Sequence, residues 1–519
     1  MAIYHSPHPV LDIPATPLAD FVLARALARG DRAALVDGVS GRTITYAQLP
    51  GLVDRAAASL ARLGLRKGQA CAIFSPNTPD YAIAVLAIAR LGGIVTTASP
   101  MYTRDDLVKQ LRDSQARILF TSPAVRDTAL DAASLAGTER IFSFGAMDGA
   151  VPFDDLVAPP GTPPAVPIDP MDVVALPYSS GTTGLPKGVM LTHRNLVANI
   201  LQVDATRHLR DGDDTLVCFL PFFHIYGLVV VMLLGLWSGA TLVVMPRFDL
   251  ERYLDLVERY RATMLHVVPP ILVALAKSPA VAGRNLSHVR KLFSGAAPLG
   301  ADVIAQCTAR VGCVVQQGYG MTEASPATHM TSEDPATAKP GSVGVPVPNT
   351  ECRVVAPETG EDMGPGQHGE LWLRGPQVML GYFNRPEETR ATLDAGGWLH
   401  TGDIGYADPD GHFFIVDRLK ELIKYKGLQI APAELESVLL SHPSVADAAV
   451  IPRADDTAGE IPHAFVVLKG PATAEELMTF VAGRVASYKK IRRLEFIDAI
   501  PKSASGKILR RVLRERVAL

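Results

Sequence analysis

The sequence predicts an α/β protein: a large N-terminal domain of layered, largely parallel sheets with a β-rich subdomain, followed by a small α+β C-terminal domain. Three observations carry this. Helix and strand patterns alternate from early in the chain. Strand-rich text runs from Glu351 to Val416, and a compact α+β set fills about a hundred residues after Asp417. The length agrees, since 519 residues exceed the ~100 to 200 residues that one domain usually holds.

In order, TYAQLPGLVDRAAASLARLG reads as a helix, ACAIFS as a strand and PDYAIAVLAIARLGG as a mostly apolar helix. IVTTAS follows as a strand, then a helix from Thr103 with Asp105 and Asp106 in its first turn, then the strand RILFTS. Acidic residues suit the positive end of a helix. The Pro-rich VAPPGTPPAVPIDP reads as a loop between lobes, and a second α/β region runs from Val173 to about Gly344. ECRVV, GELWLRG and HFFIVD carry strand signals. After Asp417 come LIKYKGL, the helix PAELESVLLSH with Pro432 in its first turn, the strands DAAVIPR and HAFVVLK, the helix TAEELMTFVAGRV, LEFID and a basic final helix. The expected domains are residues 1–416 and 421–519, joined through 417–420.

Composition narrows the function. A net charge of −3, with 48% hydrophobic and 20% charged residues, gives no reason to expect nucleic acid as a partner. The five cysteines, Cys71, Cys218, Cys307, Cys313 and Cys352, include no C-x-x-C pair, so buried reduced thiols are expected rather than disulfides or zinc. MAIYHSPHPV lacks the order of a secretory signal, which points to the cytoplasm. Ile225 to Met245 runs 21 residues without a charge, long enough to suggest a membrane span. Its break at Ser238-Gly-Ala240 into TLVVM favours a buried helix, a turn and a core strand, so no membrane span is expected.

The stretch YSSGTTGLPKG, residues 178 to 188, nearly fits the P-loop pattern G-x-x-x-x-G-K-[ST], but Pro186 replaces its second glycine and Gly188 its hydroxyl residue. Strand patterns flank it on both sides, where a P-loop would open onto a helix. Ser179, Ser180, Thr182, Thr183 and Lys187 nonetheless offer hydrogen bonds to phosphate, and Gly181 and Gly184 permit close approach of the backbone. Alone, such a segment would be read as a solvated turn.

Further motifs follow in order: PFFHIYG (221–227), SGAAPLG (294–300), QGYGMTE (317–323), GELWLRGPQVMLGY (369–382), GWLHTGDIG (397–405), VDRLKELIKYKGLQIAPAELE (416–436) and PKSASGKILRR (501–511). Together they resemble the adenylate-forming superfamily of acyl-CoA ligases, luciferases and adenylation domains, above all 4-coumarate or cinnamate:CoA ligases, across essentially the whole chain. The resemblance implies two half-reactions with ATP, Mg²⁺ and coenzyme A. A carboxylic acid first attacks the α-phosphate of ATP to give an acyl-AMP, and the thiol of coenzyme A then displaces AMP. It also implies roles. Tyr319 stacks on adenine within Gln317, Gly318 and Gly320, Thr322 contacts the α-phosphate or the adenylate carboxyl oxygen, and Glu323 with Thr183 helps hold Mg²⁺. Asp403 and Arg418 bind ribose. Lys507 serves adenylation, whereas Lys424, Lys426, Gly427 and Gln429 face coenzyme A in the thioester-forming state. A mobile C-terminal domain rotating about Lys420 reconciles the two lysines.

His224 matches a gate between the acyl pocket and the coenzyme A tunnel. Tyr226, Val229, Phe293, Gly295, Gly320, Pro326, Ala327 and Thr328 match pocket walls. Hydroxycinnamate-preferring ligases carry asparagine and lysine where Val229 and Phe293 stand here. An unpartnered buried phenol costs about 1 to 3 kcal/mol, so an apolar acid such as cinnamate is expected over caffeate or ferulate. A medium-chain fatty acid stays open as substrate, as does transfer to a carrier protein or to oxygen. A catalytically dead nucleotide-binding scaffold is a further reading. The intact set Lys187, Thr322, Glu323, Asp403, Arg418, Lys424 and Lys507 argues against it, and no obligate protein partner is evident.

Overall fold

The computed structural model describes residues 3–179, 186–206, 209–210, 212–296, 301–334, 336–426, 428–455, 457–503 and 506–518. Among these, the strands form two nine-stranded and two five-stranded sheets. In one nine-stranded sheet, Ala70–Phe74 runs parallel to Ile94–Ala98 on one side and Ile118–Thr121 on the other. In the other, Ala33–Asp37, Thr241–Val244, Thr215–Cys218, Met264–Val267, Lys291–Ser294 and Val314–Gly320 lie side by side and parallel. Antiparallel strands close each end of this second sheet.

Helix Pro79–Arg90 joins the two layers. Its residues from Pro79 to Ala89, except Asp80, are buried, and it touches Ile94–Ala98 of one sheet and Ala33–Asp37 of the other. A helix apolar all round belongs between layers, as its sequence requires. The acidic first turn after Thr103 forms a full capping box: Thr103 accepts the Asp106 N–H, and the Asp106 side chain accepts the Thr103 N–H.

The uncharged run is a helix, a turn and the strand Thr241–Val244, with Gly239 left-handed (φ 82°) at the turn. One detail differs from a simple helix. Tyr226–Leu233 is wound as a π-helix that continues into the α-helix Leu234–Ser238, a winding frequent at functional sites. Gly227 sits at its start because the chain folds back there, and an added Cβ would lie 2.1 Å from the Pro221 carbonyl oxygen. No helix among the described residues is long and apolar enough to cross a membrane. All five cysteines are buried and free.

Glu351–Val355, Gly369–Arg374, Leu399–Ala407 and Phe413–Arg418 form an antiparallel sheet. Beyond it, Ile423–Tyr425, Leu428–Ile430, Val445–Asp455, Gly459–Leu468 and Arg493–Phe496 make the last sheet. Ile423, Leu435, Val450, Val466 and Leu477 give this region an apolar cluster of its own.

Candidate active site

The parallel strands of the second sheet end at Cys218, Val267, Ser294 and Gly320 on one edge. In open α/β sheets ligands bind beyond the carboxyl ends of the strands. PFFHIYG, the start of SGAAPLG and QGYGMTE all follow or finish these strands, so the topology gathers motifs that lie far apart in sequence.

Tyr319, near the end of its strand, donates its hydroxyl to Asp403 Oδ2 at 2.6 Å. Arg418 lies opposite Asp403 in the adjoining sheet and contacts Oδ1 through Nε at 3.1 Å. Burial first, and then Asp403, pushes the Tyr319 phenol far above its ordinary pKa, so it stays a donor. Gly320 is where a hairpin turns back on itself: an added Cβ would stand 2.0 Å from the Pro326 carbonyl oxygen. Gln317 is buried and takes its backbone partner from Thr331 Oγ1 at 2.9 Å.

Lys187 begins strand Lys187–Thr192 and is buried, with Nζ 4.9 Å from the centroid of the Tyr382 ring. A lysine read as part of a loop is thus seated on a strand. Ser179 pairs with it across an antiparallel contact. Tyr178 anchors this edge by donating to Asp113 Oδ2 at 2.6 Å, while Arg385 holds the other Asp113 oxygen at 3.1 Å. Ser180, Gly181, Thr182, Thr183 and Gly184 lie outside the described residues. Thr322 and Glu323 stand on a short 3₁₀ turn. Glu323 is buried, and Tyr382 donates to its Oε1 at 3.0 Å. The second carboxylate oxygen takes no hydrogen bond among the described residues. A hard oxygen donor so placed fits Mg²⁺, which usually uses one or two carboxylates together with phosphates and water.

Of the residues expected to wall an acyl pocket, Phe293 and Gly295 adjoin Tyr226. Its hydroxyl donates to the Phe293 carbonyl at 3.2 Å, its ring centroid is 6.1 Å from that of Phe293, and an added Cβ on Gly295 would meet its ring at 3.4 Å. Val229, Ala327 and Thr328 are buried, and Asn199 fixes Ala327 by bonding both its N–H (3.0 Å) and its carbonyl (2.8 Å). His266 was missed by sequence reasoning. It is buried, with ring centroids 6.1 Å from Tyr226 and 6.0 Å from Phe293, and burial pushes its pKa down to about 3, so it is neutral. Its signal was its place opposite Phe293 on the next parallel strand. The only lysine close in sequence, Lys291, is buried and ion-paired with Glu333.

The C-terminal tail reaches this edge. An added Cβ on Gly506, which is left-handed at φ 82°, would lie 3.5 Å from Val268 and 3.7 Å from Pro270. Lys507 is half-buried, held by bonds between its backbone and Ser503. Burial and then Arg418 push its amine down to about 8, while Asp403 works the other way. His224 feels it in turn: burial, then Lys507, lowers its pKa to about 4, and its Nδ1 accepts the Tyr226 N–H at 3.3 Å. Lys424, Lys426 and Gln429 are exposed on a hairpin in which Lys424 pairs with Gln429 and bonds through its N–H to Glu460. The structure therefore places Lys507 near Asp403, Arg418 and His224, and Lys424 on the exposed hairpin instead. Gly427 lies outside the described residues. Lys420 is exposed in the turn after Arg418.

The pattern of the AMP-binding enzyme family matches residues 23–383, and that of the AMP-binding enzyme C-terminal domain matches residues 434–507. The chain belongs to the AMP-binding enzyme family. Among relatives of this AMP-binding enzyme, 4-coumarate–CoA ligase 5 of Oryza sativa subsp. japonica is 45% identical over 99% of this chain and 97% of its own length. 4-Coumarate–CoA ligase 1 of Petroselinum crispum is 44% identical over 99% of this chain and 97% of its own. The crystal structure of the anthranilate CoA ligase AuaEII with anthranoyl-AMP superposes with a TM-score of 0.89 at 26% identity, covering 98% of this AMP-binding enzyme and 99% of that chain.

Proposed function

We propose that this AMP-binding enzyme is an ATP-dependent acid:CoA ligase that forms an acyl-AMP and then an acyl-CoA thioester, acting on cinnamate- or 4-coumarate-type aromatic acids. The observation that carries the reading is the approach of the Lys507 tail to Asp403, Arg418 and His224 at the carboxyl edge of the parallel sheet. Adenine stacks on Tyr319, and the ribose hydroxyls meet Asp403 and Arg418. Lys187, with Ser179, Ser180, Thr182 and Thr183, holds the departing phosphates. Lys507 carries its positive charge to the carboxylate and α-phosphate, where negative charge develops in the transition state. Glu323 and Thr183 would hold Mg²⁺, which supplies charge neutralisation at the phosphates when bound.

Coenzyme A attack then uses the other face of the C-terminal domain, residues 421–519. Rotation through the hinge 417–420 about Lys420 replaces Lys507 with Lys424, Lys426, Gly427 and Gln429, and Gly427 lets the pantetheine arm pass. His224 gates the passage between acid and thiol. Val229 and Phe293 line an apolar pocket, which favours cinnamate over caffeate. Five free, buried thiols support a reducing, cytoplasmic setting.

Half-reaction assays test the assignment. Lys507→Ala should abolish acyl-AMP formation and spare thioester formation from supplied acyl-AMP, with Lys424→Ala doing the reverse. Equal loss of both steps in both variants refutes it. An AMP-release screen over aromatic and aliphatic acids identifies the substrate class.

A further inference from the structure

His329 adjoins the nucleotide residues and the pocket wall without having been assigned to either. It is fully buried and lies opposite Tyr319 across an antiparallel pair. Its ring centroid is 5.7 Å from that of Tyr319 and 4.5 Å from that of Phe413. Thr328 Oγ1 stands 3.0 Å from His329 Nδ1 and 3.2 Å from the Tyr319 carbonyl oxygen. On the far side, Cys352 Sγ is 3.4 Å from His329 Nε2.

A carbonyl can only accept, and a hydroxyl has one hydrogen to give. Satisfying all three contacts therefore fixes every proton along the chain. Thr328 donates to the Tyr319 carbonyl, His329 Nδ1–H donates to Thr328 Oγ1, and the Cys352 thiol donates to Nε2. The groups hold the neutral forms this needs: burial pushes His329 down to about 3 and the Cys352 thiol well above its ordinary value. Thr328 consequently has no hydrogen left for an acid in the pocket.

We propose that His329 is a positioning residue for the nucleotide, setting the Tyr319 carbonyl through Thr328 and backing the Tyr319 ring directly. The consequence extends to the ribose side, because the same tyrosine donates to Asp403 Oδ2. A tilt of Tyr319 moves the adenine surface and disturbs the carboxylate that the ribose needs. The inference rests on the nucleotide reading above.

The test measures kcat and both KM values by AMP release in wild type, His329→Leu, His329→Asn and Thr328→Val, with thermal midpoints alongside. His329→Leu should raise the KM for ATP about tenfold while kcat and the KM for the acid stay within about twofold, the signature of lost uniform binding. Asparagine places an amide N–H near the position of Nδ1–H and should recover most of the loss. Thr328→Val keeps the shape, removes the hydroxyl relay and should raise the KM for ATP like His329→Leu. An unchanged ATP KM in Thr328→Val overturns the proposal even if His329→Leu does not fold. So does a parallel fall in all parameters with asparagine no better than leucine. Failure of the wild type to turn over ATP would instead overturn the nucleotide reading.

Discussion

Asp417→Ala probes what holds the C-terminal domain in the orientation seen here. Helix Pro432–Leu440 begins after Ala431, which offers no side-chain cap, so its first N–H groups need acceptors from elsewhere. Asp417, on the N-terminal side of the proposed pivot, supplies one: Oδ2 accepts the Ala433 N–H at 2.9 Å, and Oδ1 accepts the Arg418 N–H at 2.7 Å. Losing a cap costs about 1 kcal/mol, and a carboxylate at the positive end of a helix adds about 0.3 to 1 kcal/mol. Burial offsets part of this, since it raises the Asp417 pKa despite Arg510 nearby. A net of ~1.4 kcal/mol corresponds to a tenfold change in an equilibrium.

Rotation about Lys420 would separate Asp417 from Ala433, so the bond favours the proposed adenylating orientation alone. Asp417→Ala should therefore slow single-turnover acyl-AMP formation about tenfold relative to thioester formation from supplied acyl-AMP. Pyrophosphate release and thioester absorbance measure the two steps. Asp417→Asn keeps an acceptor oxygen and should lose less. Equal slowing of both half-reactions, or a lower thermal midpoint with neither step changed, refutes the reasoning.

Lys507 gives a pH dependence. Its amine is pushed down to about 8, so the ammonium is present below that pH and is lost above it. The kcat/KM for ATP should fall as pH rises through about 8, and Lys507→Arg should lack that limb because guanidinium stays charged. In the pocket, Val229→Asn adds a polar group beside Tyr226. Supplying a phenol with a buried partner recovers up to about 1 to 3 kcal/mol, and competition assays should show the preference for 4-coumarate over cinnamate rising accordingly. Gly320→Ala places a Cβ 2.0 Å from the Pro326 carbonyl oxygen. Overpacking against backbone should cost at least about 3 kcal/mol, read as a fall in the denaturation midpoint.

Much of the fold was legible because its signals are local. Thr103 and Asp106 announced a helix start through side chains three residues apart, and Gly239 announced the turn that ends the uncharged run. The π-winding of Tyr226–Leu233 was not legible, since an apolar run without polar punctuation carries no phase. Site residues divide in the same way. Expected site residues inside ordered motifs were named from sequence, whereas their supports arise from contacts between elements far apart in the chain. Asp113 lies 65 positions from Tyr178, and Glu323 lies 59 from Tyr382. No periodicity links such positions, although Tyr382 stood at the end of a recognised motif.

The same division explains why YSSGTTGLPKG misleads when read alone. Its near-match to a P-loop rests on spacing, and spacing is blind to the element that carries the lysine. Lys187 is the first residue of a strand and rests beside Tyr382, whose hydroxyl goes to Glu323. One aromatic side chain thus adjoins both the cation proposed for the departing phosphates and the carboxylate proposed for Mg²⁺. A P-loop would place its lysine and its metal-binding hydroxyl on adjacent residues of one loop. Here the lysine comes from a strand of one nine-stranded sheet and the carboxylate from a 3₁₀ turn after a strand of the other, and Tyr382 adjoins both, so the proposed nucleotide site is a property of the assembled layers.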